Sequence, residues 1–194
     1  MTPMLIGLAG PMGVGKSSVA AHLHLERGWH TPIAFADPLK DGLCSMFGMT
    51  RAQLEQVKRM DGDLVNGVSI RKAMQTLGTE WGRALHGDIW VEAMRKRVNQ
   101  LMLWQELPGI VIDDVRFENE AAFIRANHGI VIHVYNDAPR LADGHVSERL
   151  LNIADNDLTL ANVGTTNDLF RSVDKLMARV SGFSQAYMAR KVSA

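Results

Sequence analysis

Cysteine is nearly missing from this chain of 194 residues: Cys44 stands alone. A lone thiol closes no intramolecular disulfide, and no His/Cys set at zinc spacing accompanies it. That usage fits a reducing compartment, so the cytoplasm is the expected location. Long apolar runs are missing too, since none approaches the ~18 residues that a membrane-spanning helix needs. The apolar start at residues 4–9 has no basic segment ahead of it, and Lys16 follows too soon for a cleavable leader. Net charge is absent as well: 21 Lys+Arg balance 21 Asp+Glu. Neutrality argues against a broad surface for polyanions, so neither nucleic acid nor membrane is an expected partner. A local basic pocket is still compatible with it. There is no internal repeat and no low-complexity stretch.

What is present is an ordinary globular composition, 46% hydrophobic and 22% charged. At about 150 residues per domain the length implies one domain, which buries about 70% of its unfolded surface without covalent staples. Short apolar runs at residues 4–9, 32–36, 109–114, 129–134 and 157–161 read as strands covered on both faces. Helical periodicity fills residues 17–27, 38–47, 69–86, 89–106 and 117–127. Near the C-terminus, Leu169, Phe170, Val173, Leu176, Met177 and Val180 form one apolar stripe. This alternation predicts an α/β fold around a mostly parallel sheet. Residues 58–68 read as a mobile loop. Residues 136–150, with Pro139, Arg140 and Gly144, read as a short lid, and residues 184–194 as a C-terminal tail after a single domain over 1–183.

Gly10 to Ser17 spell G-P-M-G-V-G-K-S, which fits G-x-x-x-x-G-K-[ST] at every fixed position. The motif follows a strand and opens a helix, the context in which it binds phosphate. Its glycines let backbone N–H groups close around phosphate oxygens, and the helix aims its positive end at the same anion. Lys16 is expected to reach the β- and γ-phosphates, and the Ser17 hydroxyl to coordinate Mg²⁺. Gly13 inside the loop is a spelling frequent in small P-loop kinases, and the N-K-x-D guanine signature of GTPases is absent.

A kinase must also hold the acceptor's own phosphate, which calls for a second set of cations. Arg71, Gln75, Gly78 and Thr79 fall on one face of the helix at 69–86, and Trp90 follows as a wall for a base. Asp113, Asp114 and Arg116 end the third strand, the sheet edge where ligands bind. One of those carboxylates suits Mg²⁺, Arg116 a phosphate, and Glu120 either that arginine or a sugar hydroxyl. Asp37 before Pro38 suits a helix cap or a catalytic carboxylate equally, and Lys40 one turn on suits the acceptor phosphate. In the lid, Arg140 is the expected finger over the transferring phosphoryl, with His145 and Glu148 near it.

With these motifs assembled, the chain resembles the deoxynucleoside monophosphate kinases of tailed bacteriophages. The likeness rests on the P-loop and on Phe35-Ala36-Asp37-Pro38-Leu39-Lys40, Arg71 to Thr79, Trp90-Val91, Asp114-Val115-Arg116-Phe117, Gly129 to Val134, His145 to Glu148 and Asn162 to Thr165. It implies a P-loop NTPase fold of the nucleoside monophosphate kinase type: a five-stranded parallel sheet flanked by helices, a helical acceptor-binding region at about 38–106, and a short lid. It implies the reaction dNMP + ATP → dNDP + ADP with Mg²⁺, in the host cytoplasm if the chain is phage-encoded. Carried over by position, Gly13, Val14, Gly15, Lys16, Ser17 and Ser18 hold the ATP phosphates, and Asn162, Gly164 and Thr165 lie near adenine. Leu39, Lys40, Arg71, Gln75, Gly78, Thr79, Trp90, Asp114, Arg116, Phe117 and Glu120 contact the acceptor. Read from the residues themselves, Lys16, Arg116, Asp37 and Arg140 are the expected transfer groups, and Ser17 with Asp114 the expected metal ligands. A homodimer is the base-rate expectation. Other small P-loop kinases, of the dephospho-coenzyme A or phosphomevalonate type, and an ATP-binding regulatory protein without catalysis stand as alternatives.

Overall fold

A computed structural model describes residues 3–60, 62–104, 107–137 and 151–192, with side chains at all of these except 104 and 181–192. The chain runs β1 (Met4–Ala9), α1 (Lys16–Arg27), α2 (Asp37–Phe47), α3 (Arg51–Arg59), then a hairpin of β2 (Asp63–Val65) and β3 (Val68–Ser69). Next come α4 (Ile70–Gln75), a π-helical segment (Thr76–Arg83), α5 (Ile89–Trp104), β4 (Gly109–Val115), α6 (Glu118–Ala126), β5 (Ile130–Tyr135), β6 (Leu158–Ala161) and α7 (Thr166–Val192). The main sheet has the order β4-β1-β5-β6, with every pair parallel.

Because each strand is apolar on both sides, two cores form. On one face Leu5, Ile110, Ile112 and Val131 meet Val91, Met94 and Val98 of α5 and Phe123 and Ile124 of α6. On the other, Ile6, Leu8, Val111 and Ile132 meet Val19 and Leu23 of α1 and Leu169, Val173 and Met177 of α7. A third, smaller core of Leu43, Leu54 and Ile70 joins α2, α3 and α4 beside the sheet. No helix among the described residues is long and apolar enough to cross a membrane.

Three segments depart from the sequence reading. The run at 32–36 makes a single parallel bridge, Ile33 to Ile112, rather than a full fifth strand. Pro32 has no N–H to give a ladder, Ile33 N reaches Val111 O at 3.1 Å, and the three amides after it are taken by side chains: Ala34 N by Asp37, Phe35 N and Ala36 N by Asp114. The expected loop at 58–68 begins as the end of α3 and turns back as the hairpin. Asn66 and Gly67, at φ 35° and 85°, supply the left-handed pair that a two-residue hairpin turn requires. The backbone of α7 continues through the stretch read as a separate tail, as far as Val192.

In β4 the register slips. Gly7 pairs with Ile112 and Ala9 with Val115, so Asp113 and Asp114 together stand opposite Leu8. This bulge sits at the carboxyl end of β4, next to the end of β1.

Candidate active site

The carboxyl ends of β1 and β4 open into a cleft of ≈510 Å³. The phosphate loop forms one wall. Gly10, Gly13 and Gly15 take φ of 135°, 76° and 100°, which side-chain-bearing residues rarely adopt. Gly15 is constrained twice, because a Cβ there would stand 2.6 Å from Asn162 Nδ2. Asn162 in turn donates to Val14 O at 3.0 Å and braces the loop from beneath. No side chain caps α1, so its first N–H groups face the loop. Lys16 Nζ donates to Gly10 O and Pro11 O, both at 2.7 Å, which fixes the ammonium across the loop mouth.

The opposite wall comes from the helical region and from the end of β4. Leu39, Lys40, Arg71, Gln75, Gly78, Thr79, Trp90, Asp114, Arg116, Phe117 and Glu120 all line the same cleft as Gly13, Gly15, Lys16, Ser17 and Ser18. The π-helical segment shapes this wall. Trp90 Nε1 donates to Gly78 O at 2.7 Å, and a Cβ on Gly82 would collide with the Trp90 ring. A widened helix lets an indole reach one of its carbonyls, an insertion common at functional sites. Arg71 also touches the loop directly, through Met12 Sδ.

Two carboxylates that the sequence set in the site do other work. Asp37 faces a separate cavity of ≈410 Å³, where it pairs with Arg51 at 2.5 Å and accepts from Ala34 N at 2.8 Å. The N-cap of α2 is Ala36, so Asp37 neither caps nor lines the cleft. Asp114 lines the cleft and also accepts from Phe35 N at 2.7 Å and Ala36 N at 3.0 Å, so it fastens the backbone there. Its neighbour Asp113 lines the cleft beside it. Burial, with Asp114 beside it, pushes the Asp113 carboxyl up to about 6 against the pull of Lys40 and Lys16. Glu120 is 3% exposed. It accepts from Arg116 N and Phe117 N at 2.8 and 3.1 Å and pairs with Arg83 at 2.5 Å, so it orients backbone rather than the Arg116 guanidinium. Its burial, and then Asp114, push it up to about 7, against those donors.

Other expected residues lie beyond the cleft lining. Val14 is buried in the core. Thr165 and Asp168 cap α7, with Thr165 Oγ1 donating to Asp168 Oδ2 at 2.6 Å. Gly164 sits next to that cap. Arg140, His145 and Glu148 lie outside the described residues. Two cations of the cleft were not expected. Arg83 continues the four-residue spacing of Arg71, Gln75 and Thr79, and its guanidinium stacks 3.6 Å over the Phe117 ring. Lys58 reaches the cleft from α3.

Over 97% of this chain and 98% of its own, a gluconokinase structure from Sinorhizobium meliloti 1021 superposes with a TM-score of 0.53 at 13% identity, which supports the fold alone. A protein of Acanthamoeba polyphaga mimivirus named as a deoxynucleotide monophosphate kinase is 33% identical over 184 residues, covering 88% of this chain and 94% of that one. The deoxynucleotide monophosphate kinase of Escherichia phage RB69 is 29% identical over 110 residues, 56% of this chain but 45% of the longer phage enzyme. Residues 46–173 match the family described as deoxynucleotide monophosphate kinase, a stretch that begins after the phosphate loop and holds most of the acceptor wall. The chain belongs to the deoxynucleotide monophosphate kinase family.

Proposed function

We propose that the chain transfers the γ-phosphoryl group of ATP to the 5′-phosphate of a deoxynucleoside monophosphate, giving ADP and the diphosphate. One observation carries the reading: a single cleft joins a phosphate loop to a second group of cations, Lys40, Arg71 and Arg116, on the facing wall. A protein that only sensed ATP would have no use for the second group.

Phosphoryl transfer leaves little covalent work to protein groups, so position and charge must supply the rate. The loop amides and Lys16 hold the donor phosphates, and Arg71 and Arg116 align the acceptor phosphate with them. The Arg83–Glu120 pair locks Phe117, which with Trp90 forms the aromatic side of the acceptor pocket. Val163, 63% exposed, lies with Gly164 and Thr165 at the same sheet edge as the loop and offers adenine an apolar face. Hard oxygen donors suit Mg²⁺, and the Ser17 hydroxyl and the Asp113 carboxylate, both in the cleft, are the groups that would hold it. When bound, Mg²⁺ neutralises charge on the transferring phosphates.

The test is a substrate panel: purified protein with Mg-ATP and, separately, each deoxynucleoside monophosphate, each ribonucleotide, dephospho-coenzyme A and phosphomevalonate, followed by ADP release. Turnover with deoxynucleoside monophosphates is expected. Turnover with the last two compounds alone, or with no acceptor at all, overturns the reading.

A further inference from the structure

Four cations converge on the acceptor side of the cleft: Lys40 from α2, Lys58 from α3, Arg71 from α4, and Arg116 just beyond β4. The first three ride on helices locked together by the small core of Leu43, Leu54 and Ile70, so their charges cannot drift apart. Their proximity has an electrostatic signature. Burial, followed by Lys40 and with added push from Arg116 and Arg71, holds the Lys58 ammonium below the ordinary lysine range despite the opposing pull of Glu55.

Glu55 is the carboxylate that would explain Lys58 as a mere helix-surface pair, three residues along α3. The distances argue otherwise. Lys40 Nζ stands 2.7 Å from Glu55 Oε1, whereas Lys58 Nζ is 3.7 Å from Oε2. One carboxylate shared by two ammoniums leaves a positive charge over, and its closer partner is Lys40. That surplus points into a cleft already holding Arg71 and Arg116. Four cations lining one cleft suit an anion of about two charges, which can accept from several of them at once. Lys58 also sits in the last turn of α3, which favours a cation and lets it stand there without a dedicated carboxylate.

We propose that Lys58 is a direct ligand of the acceptor's phosphate, completing with Lys40, Arg71 and Arg116 a cationic cradle for a phosphomonoester dianion. The proposal rests on the phosphotransfer reading above for the identity of the acceptor, but the anion chemistry stands apart from it.

Lys58→Met keeps the apolar stem and removes the charge, and Lys58→Arg restores a charge at the same place. With the phosphate loop saturated by a non-hydrolysable ATP analogue and Mg²⁺, inorganic phosphate is titrated calorimetrically into wild type and both variants. KM and kcat are then measured for a deoxynucleoside monophosphate and for ATP. Lys58→Met is expected to weaken inorganic phosphate and raise the acceptor KM about 10- to 100-fold while ATP KM stays within about twofold, and Lys58→Arg to recover most of the loss. Equal phosphate affinity in wild type and Lys58→Met overturns the proposal, as does no phosphate binding by the wild type. A loss spread evenly over ATP and acceptor, unrecovered by arginine, overturns it by assigning Lys58 to the frame. A wild type that phosphorylates no deoxynucleotide sinks the functional reading alone, because the phosphate titration still decides Lys58.

Discussion

The two walls of the cleft are made of different material. The donor wall is chiefly backbone: three left-handed glycines, the uncapped start of α1, and a lysine tied to two loop carbonyls, all seated on the large core through Val14. The acceptor wall is chiefly side chain: cations and aromatics from α2, α3, α4, the π-helical segment, α5 and the end of β4, with part of it resting on a small core of its own. A backbone cradle recognises what every phosphate chain shares. Side chains read charge and ring shape, and they can be exchanged one at a time without rebuilding the loop. The division gives one wall to a common donor and the other to the choice of acceptor.

The comparison can be broken in three places. Lys16→Ala strikes the donor wall at the lysine tied across the loop mouth, and kcat should fall by roughly 10³ or more with little loss of stability, read from ADP release and a melting curve. A fall in acceptor affinity of the same size would mean that the walls are not separate. Leu54→Ala strikes the acceptor wall from behind, because Leu54 is 0% exposed in the small core. Truncation there should cost about 3 kcal/mol and raise the acceptor KM well above any change in ATP KM, measured by denaturant midpoint and by the two Michaelis constants.

The smallest effect concerns the junction of the two walls. Burial raises the Asp113 carboxyl from 3.8 to about 6, so the fold favours its neutral form. An acid raised in this way loses stability as pH climbs from the unfolded value through the folded one. Asp113→Asn should therefore be more stable than wild type at pH 8, by about 1–2 kcal/mol, and no more stable below about pH 4, where both forms are neutral. Melting temperatures of the two proteins from pH 4 to pH 8 check the sign. A destabilised Asp113→Asn at pH 8 would show that Lys40 and Lys16 outweigh burial.

Local chemistry was legible in the sequence, and distant partnership was not. The strands β1, β4 and β5 stand out because burial on both faces leaves a long apolar run, and the phosphate loop because its spacing is itself the function. Helix α3 was missed although Thr50 and Gln53 write its capping box, with Gln53 N donating to Thr50 Oγ1 at 3.2 Å and Thr50 N to Gln53 Oε1 at 2.8 Å. Without α3, Lys58 had no route to the cleft. The hairpin was likewise signalled by Asn66-Gly67 and passed over as a polar loop. Asp37 and Asp114 are a different matter. Nothing local tells that Asp114 fastens Phe35 and Ala36, far back along the chain, or that Asp37 pairs with Arg51 one helix on, because both depend on how distant segments pack. The π-helical segment has no local signature either, since Trp90 and Gly82 create it by packing.

The slip between β1 and β4 opposite Leu8 is a matter of chain length. In a regular strand, neighbouring side chains point to opposite faces, so one of two consecutive acids would be lost to the packed side of the sheet. The additional residue brings both to the cleft, Asp113 within the pull of Lys40 and Lys16 and Asp114 onto the Phe35 and Ala36 amides. Removing either position would leave one acid to choose between two tasks. At this point of the chain, the number of residues matters as much as their kind.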